Sequence, residues 1–259
     1  MIIALTAQKG GTGKTTTAAT LAAGLTLKGR KVLLVDLDQQ GSLSLITGAD
    51  TAGKTTLGIL TREITAEEAI QKVAVADIIP ANKSLAGAEA TLKETGGEYR
   101  LREALEPVKG RYDYIILDCP PALGSLTINA LTAADYVIIP TQADIMSLTG
   151  VSQLYDSYQL VRKYTNRGIK IAGILLAKHS SRAVLKRDLE EVLREKLSQQ
   201  MQAKVFTATI REAVAINEAQ YMQQSIFEYA GKSKVAEDYR AFIEELLQDL
   251  EKGGSNDEQ

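Results

Sequence analysis

The chain has 259 residues, with 45% hydrophobic and 24% charged residues, one Cys and one His. A single Cys excludes an internal disulfide framework and suits a reducing cytoplasm. No apolar run approaches a membrane span, and the opening residues read as a strand rather than a secretory leader. The formal net charge of −2 excludes a uniformly basic nucleic-acid binder, yet eight acids and two bases from Glu237 onward give that end −6 and leave the remainder at +4, so an acidic end masks a mildly basic body.

Short apolar runs alternate with helical patterns along the chain. Strands are expected at Ile2–Ala7, Lys31–Asp36, Val75–Pro80, Tyr112–Asp118, Tyr136–Pro140 and Ile169–Leu176, with a weaker one near Lys204–Phe206. Helices are expected at Lys14–Lys28, Ser84–Glu94, Leu123–Ala133, Leu148–Tyr164, Ala183–Gln199 and Lys234–Leu250. Such alternation implies right-handed crossovers and a mostly parallel sheet with helices on both faces, an α/β fold. One domain is expected over residues 1–251, followed by a disordered acidic tail over 252–259.

Two stretches compete as a phosphate loop. Gly48–Thr55 fits G-x-x-x-x-G-K-[ST], whereas the stretch ending "GTGKT" departs from it at Gln8. Context favours the stretch ending at Thr15, the first of the two along the chain, because a phosphate loop needs a strand, a turn of backbone N–H groups and a helix N-terminus. "MIIALTA", "QKGGTG" and "KTTTAATLAAGLTLKG" supply these in order. After Lys54 the chain is broken by Gly58 and soon turns polar, so Gly48–Thr55 reads as a surface loop. This makes the fold a P-loop NTPase fold.

At the first site, Lys14 suits the β- and γ-phosphates, the Thr15 hydroxyl suits Mg²⁺, and the amides of residues 10–16 suit phosphate oxygens; these are Gly10, Gly11, Thr12, Gly13, Lys14, Thr15 and Thr16. Asp118 ends the apolar run "YDYIILD", a Walker B shape that places a carboxylate near the metal; a helix N-cap is the plainer alternative. Asp36 and Asp38 follow a period of two and are expected to face the same way, one supporting the Mg²⁺ shell and one orienting water, or else bracing the loop. Cys119 is expected to be packed and inert. Lys9 exceeds what phosphate neutralisation requires, unless it is merely a solvated loop lysine.

"KGGTGKTT" resembles the deviant Walker A box of the ParA/MinD group of P-loop ATPases, and the resemblance extends over nearly the whole chain. "VLLVDLDQQGSLS" and "YDYIILDCPPALGSLTINAL" look like that group's second and third boxes. "DIIPANKSLAGAE" and "IFEYAGKSKVAEDY" are similar to the ParA/Soj branch. The resemblance implies that ATP with Mg²⁺ joins two subunits, with Lys9 reaching the partner's nucleotide, Gly10 letting the loops approach and Asp38 positioning water. It further implies slow, partner-stimulated hydrolysis, binding of the dimer to non-specific double-stranded DNA, and a ParB-like adaptor, at the nucleoid in the cytoplasm. Positioning of a protein cargo on the nucleoid is the alternative function.

The final helix is acidic, unlike a basic membrane-binding helix, so no membrane partner is expected. Lys9 lies so near the start that no preceding DNA-reading domain is expected. Lys178, Arg182, Lys186 and Arg187 form an acid-free basic run and are the candidate DNA contacts, with Arg211, Lys232 and Lys234 next. Arg182 matches a family arginine. Two other family arginines are replaced by Glu212 and Ala215 in "REAVAINEAQY".

Overall fold

A computed structural model describes residues 1–179, 190–191, 194–196, 198–199 and 201–255, with only the backbone described for 145–148, 179 and 253–255. The strands are β1 (Ile2–Leu5), β2 (Val32–Asp36), β3 (Gln71–Lys72), β4 (Asp77–Ile79), β5 (Tyr114–Asp118), β6 (Tyr136–Thr141), β7 (Lys170–His179) and β8 (Val205–Arg211). They form one sheet in the order β3-β4-β2-β5-β1-β6-β7-β8. All neighbours are parallel except β3 and β4.

Strand alternation sorts the core into two layers. Ile2, Ala4, Leu33, Val35, Ile115 and Leu117 pack on one face, and Ile3, Leu5, Val32, Leu34 and Ile116 on the other. Because both faces are covered, these strands read as unbroken apolar runs. The first face is covered by α3 (Thr56–Thr61), α6 (Arg100–Lys109), α7 (Ser125–Ala133) and α8 (Ile145–Tyr164). The second is covered by α1 (Lys14–Leu27) and α11 (Lys234–Ser255), which pack on each other. Leu21, Ala22 and Leu25 of α1 are fully or almost fully buried, as are Phe242 and Ile243 of α11. At about 1.5–3 kcal/mol for each fully buried large aliphatic or aromatic side chain, this layer fixes where α1 begins.

Among the described residues, the other helices with defined bounds are short: α2 (Ser42–Thr47), α4 (Ala66–Ala69), α5 (Ala88–Leu92), α9 (Val214–Tyr221) and α10 (Ile226–Tyr229). The expected Ser84–Glu94 helix is a 3₁₀ turn at Lys83–Gly87 followed by α5. The final helix continues to Ser255, past the expected Leu250. The helix expected at Ala183–Gln199 falls largely outside the described residues. Among the described residues, no helix is long and apolar enough to cross a membrane.

Candidate active site

The register of the three central strands builds the site. Leu5 pairs with Asp118, and Asp36 pairs with Asp118, so the loops after β1, β2 and β5 leave the same sheet edge. Parallel open sheets bind ligands at this edge. A cavity of about 470 Å³ opens there, lined by Gly10, Gly11, Gly13, Lys14, Thr15, Thr16, Asp38, Ser42 and Pro121 on one side. Ala177, Lys178, Arg211, Glu212, Asn217 and Gln220 line the other. Its volume falls within the roughly 300–1,000 Å³ of small-molecule sites.

Gly13 is the N-cap of α1, at φ +89°, and no side chain caps the helix. A Cβ here would need a backbone conformation that L-residues avoid, so glycine lets the chain turn from loop into helix. The first amides of α1 are thus left to an anion, and the helix dipole favours negative charge at that point. Lys14 is 6% exposed. Burial lowers its pKa, opposed by the charges of Asp118, Cys119 and Asp38.

Asp118 is 1% exposed, and neither carboxylate oxygen accepts a hydrogen bond of ordinary geometry. Burial first, and then the Asp36 carboxylate, raise its pKa; the nearby Thr15 hydroxyl and Lys14 ammonium only temper the shift. A buried carboxylate without a partner is costly unless something else satisfies it. Its place beside Thr15 fits a hard divalent cation, and it caps no helix: the N-cap of α7 is Gly124.

Asp36 and Asp38 do not play equivalent parts. Asp36 is fully buried and accepts from the Ser44 amide (2.9 Å), the Ser44 hydroxyl (2.7 Å) and the Asp38 amide (3.0 Å). Its pKa is pushed up to about 6 by burial, against the Ser44 hydrogen bonds. Asp38 lies beyond the end of β2, half-buried on the cavity wall, and accepts from the Gln40 amide at 2.9 Å. The alternation continues past the strand, with Leu33, Val35 and Leu37 in one core layer, but Asp36 spends its carboxylate within the chain whereas Asp38 reaches the cavity wall.

Lys9 is not on the cavity wall. Its ammonium pairs with Asp144 at 2.9 Å, with both side chains partly exposed, and Gln142 donates to the Gly11 carbonyl at 2.9 Å. The "PTQAD" loop after β6 therefore holds the front of the glycine loop. The sequence analysis gave no role to Gln142 or Asp144. Gln220 was also missed; from α9 it donates to the Thr16 hydroxyl at 2.9 Å. Cys119 is fully buried and its thiol is pushed up by burial, as expected of a packed residue.

Of the basic run, Lys178 is exposed at the cavity rim, while Arg182, Lys186 and Arg187 lie outside the described residues. Arg211 is held by Asp238 in a two-pronged pair at 2.6 and 2.7 Å, which leaves it poorly placed to replace the missing arginines.

The Gly48–Thr55 stretch has none of this geometry. Gly48 ends α2, no strand precedes the loop, and Lys54 pairs with Glu68 at the surface at 3.2 Å.

A family profile described as an AAA domain matches residues 1–171. The sporulation initiation inhibitor protein Soj of Bacillus subtilis (strain 168) is 41% identical over 250 residues, 95% of this chain and 97% of its own. The chain belongs to the ParA/Soj family of partition ATPases. The chromosome partitioning protein ParA of Myxococcus xanthus (strain DK1622) is 39% identical, over 95% of this chain and 87% of its own. Among solved structures, cobyrinic acid a,c-diamide synthase from Mycobacterium smegmatis, with bound ATP analogue and magnesium, superposes with a TM-score of 0.84. It is 35% identical and covers 97% of this chain and 96% of its own. These likenesses agree with the ParA/Soj resemblance carried by the sequence boxes and with a mostly parallel P-loop fold.

Proposed function

We propose that this ParA/Soj-family protein is a Mg²⁺-dependent ATPase. It dimerises on ATP, binds DNA without sequence preference and partitions plasmid, chromosomal or mobile-element DNA with a ParB-like adaptor. It would act at the nucleoid in the cytoplasm. The observation that carries the nucleotide site is the unpartnered Asp118 carboxylate beneath the uncapped start of α1, beside buried Lys14.

The amides from Gly10 to Thr16 would hold phosphate oxygens, and Lys14 would offset their charge. Thr15 and Asp118 would hold Mg²⁺, with Asp38 at the edge of its shell. Bound Mg²⁺ would neutralise charge developing on the phosphates. Asp38 would orient the attacking water through the carboxylate oxygen not engaged by the Gln40 amide and receive its proton. Lys9 would leave Asp144 and reach the partner subunit's nucleotide, so the dimer would form only with ATP. Lys178, Arg182, Lys186 and Arg187 would meet DNA phosphates, doubled in number by dimerisation.

The test is retention of the protein on non-specific double-stranded DNA with Mg·ATP, with Mg·ADP and without nucleotide. Binding should require ATP. If about six phosphates are neutralised per dimer, log K should fall against log salt with a slope of roughly −5. Changing Arg182 and Lys186 to Glu should abolish retention and leave dimerisation intact. Nucleotide-independent DNA binding, or none in any state, would refute the switch.

A further inference from the structure

The loop carrying Asp38 is held by a hydrogen-bonded bracket that ties Asp36, where the loop begins, to Ser44 and to Thr56. The Asp36 carboxylate accepts from the Asp38 amide and from the amide and hydroxyl of Ser44. Ser44 Oγ in turn accepts from the Ala81 amide at 2.9 Å. The backbone of Asp36 is held as well: Thr56 Oγ1 donates to its carbonyl at 2.7 Å and leans on the Pro80 carbonyl at 3.1 Å. The Thr56 amide bonds that same Pro80 carbonyl at 2.8 Å.

Asp36, Ser44 and Thr56 are all 0% exposed. Within the bracket the chain is drawn close. Gly41 sits at φ +62° where a Cβ would lie 2.8 Å from the Ala81 carbonyl oxygen. Leu37 is fully buried, and its amide bonds the Asp118 carbonyl at 3.0 Å. Asp38, half-buried, is the acidic side chain that this loop presents to the cavity.

Given the ATPase function proposed above, we propose that Asp36, Ser44 and Thr56 are positioning residues for hydrolysis. They hold the Asp38 carboxylate at the cavity, and Thr56 gives the Gly48–Thr56 stretch its role as the outer support of that loop, not a phosphate site. None of the three lines the cavity. They would act through Asp38, so their loss should slow the chemical step and spare nucleotide affinity. Buried polar networks of this kind are sensitive to a single missing partner, because the group left behind stays buried and unpaired.

The experiment compares wild type with Ser44→Ala, Thr56→Val and the conservative Thr56→Ser in steady-state ATP hydrolysis. Amide hydrogen exchange of the nucleotide-free proteins is measured alongside. Ser44→Ala and Thr56→Val should each lower kcat roughly tenfold, with the KM for ATP within about twofold. Thr56→Ser should restore kcat. Exchange at the Asp38 and Ser44 amides should accelerate in the two damaging variants while amides within α1 keep their protection. Wild-type kcat in both damaging variants would overturn the proposal, as would equal losses in affinity and rate or unchanged exchange at Asp38 and Ser44. A wild-type protein that fails to bind Mg·ATP would sink the ATPase function instead, and the exchange comparison would still decide the bracket.

Discussion

Two stretches of this chain carry nearly the same letters and lie in opposite surroundings. Residues 10–16 leave a fully buried parallel strand, turn through Gly13 and start a helix with no side-chain cap, above a carboxylate with no partner. Residues 48–56 follow the end of a six-residue helix; Lys54 meets Glu68 in solvent, and Thr56 is closed into a hydrogen-bonded corner. The first stretch leaves the helix-start amides without a side-chain cap, open to a ligand; the second spends Lys54 and Thr56 on partners within the chain. A phosphate loop is therefore recognised by the groups it leaves unsatisfied, which the spelling alone does not reveal.

This contrast can be broken by mutation. The largest effect expected, apart from loss of Lys14, is on hydrolysis in Asp38→Ala. If Asp38 positions and deprotonates water as proposed, its removal should cost about 100-fold or more in kcat while ATP still binds. Single-turnover assays with a matched binding titration check this, and parallel losses in both would remove Asp38 from the chemical step. Next, Lys9→Ala should weaken the ATP dimer roughly tenfold or more with little change in the affinity of one subunit for nucleotide. Sedimentation velocity with Mg·ATP tests it, and normal dimerisation would return Lys9 to a solvated loop lysine. A smaller change sharpens the geometry of the first stretch. Gly13→Ala should lose about 1–2 kcal/mol of stability, because it forces a left-handed backbone on alanine. It should also weaken nucleotide binding, whereas an unaltered denaturation midpoint would mean that the turn relaxes.

Much of this was legible in the sequence, for physical reasons. β1, β2, β5 and β6 are buried on both faces, so their apolar runs announce them, and Asp118 is visible as the carboxylate at the end of one. α1 was legible from "TAATLAAGL", whose small and apolar residues meet the sheet and α11. Less legible were α3, interrupted by Gly58, and α9, whose Val214 and Tyr221 face solvent and blur any amphipathic stripe. β3 has two residues and pairs only at the sheet edge. Within the site, the glycine loop and Lys14 could be placed from their neighbours in sequence. The division of labour between Asp36 and Asp38 could not, because it depends on Ser44, which engages the Asp36 carboxylate from α2. The Lys9–Asp144 and Thr16–Gln220 contacts join residues far apart in the chain, and no local pattern encodes them.

The most direct measurement is a pair of Mg·ATP titrations, on Lys14→Ala and on Lys54→Ala, against wild type. Lys14→Ala should abolish detectable binding, because it removes the buried cation that offsets the phosphates. Lys54→Ala should bind as wild type does, because its ammonium sits at the surface beside Glu68. Loss of binding in Lys54→Ala with retention in Lys14→Ala would contradict the assignment of the nucleotide to the first stretch.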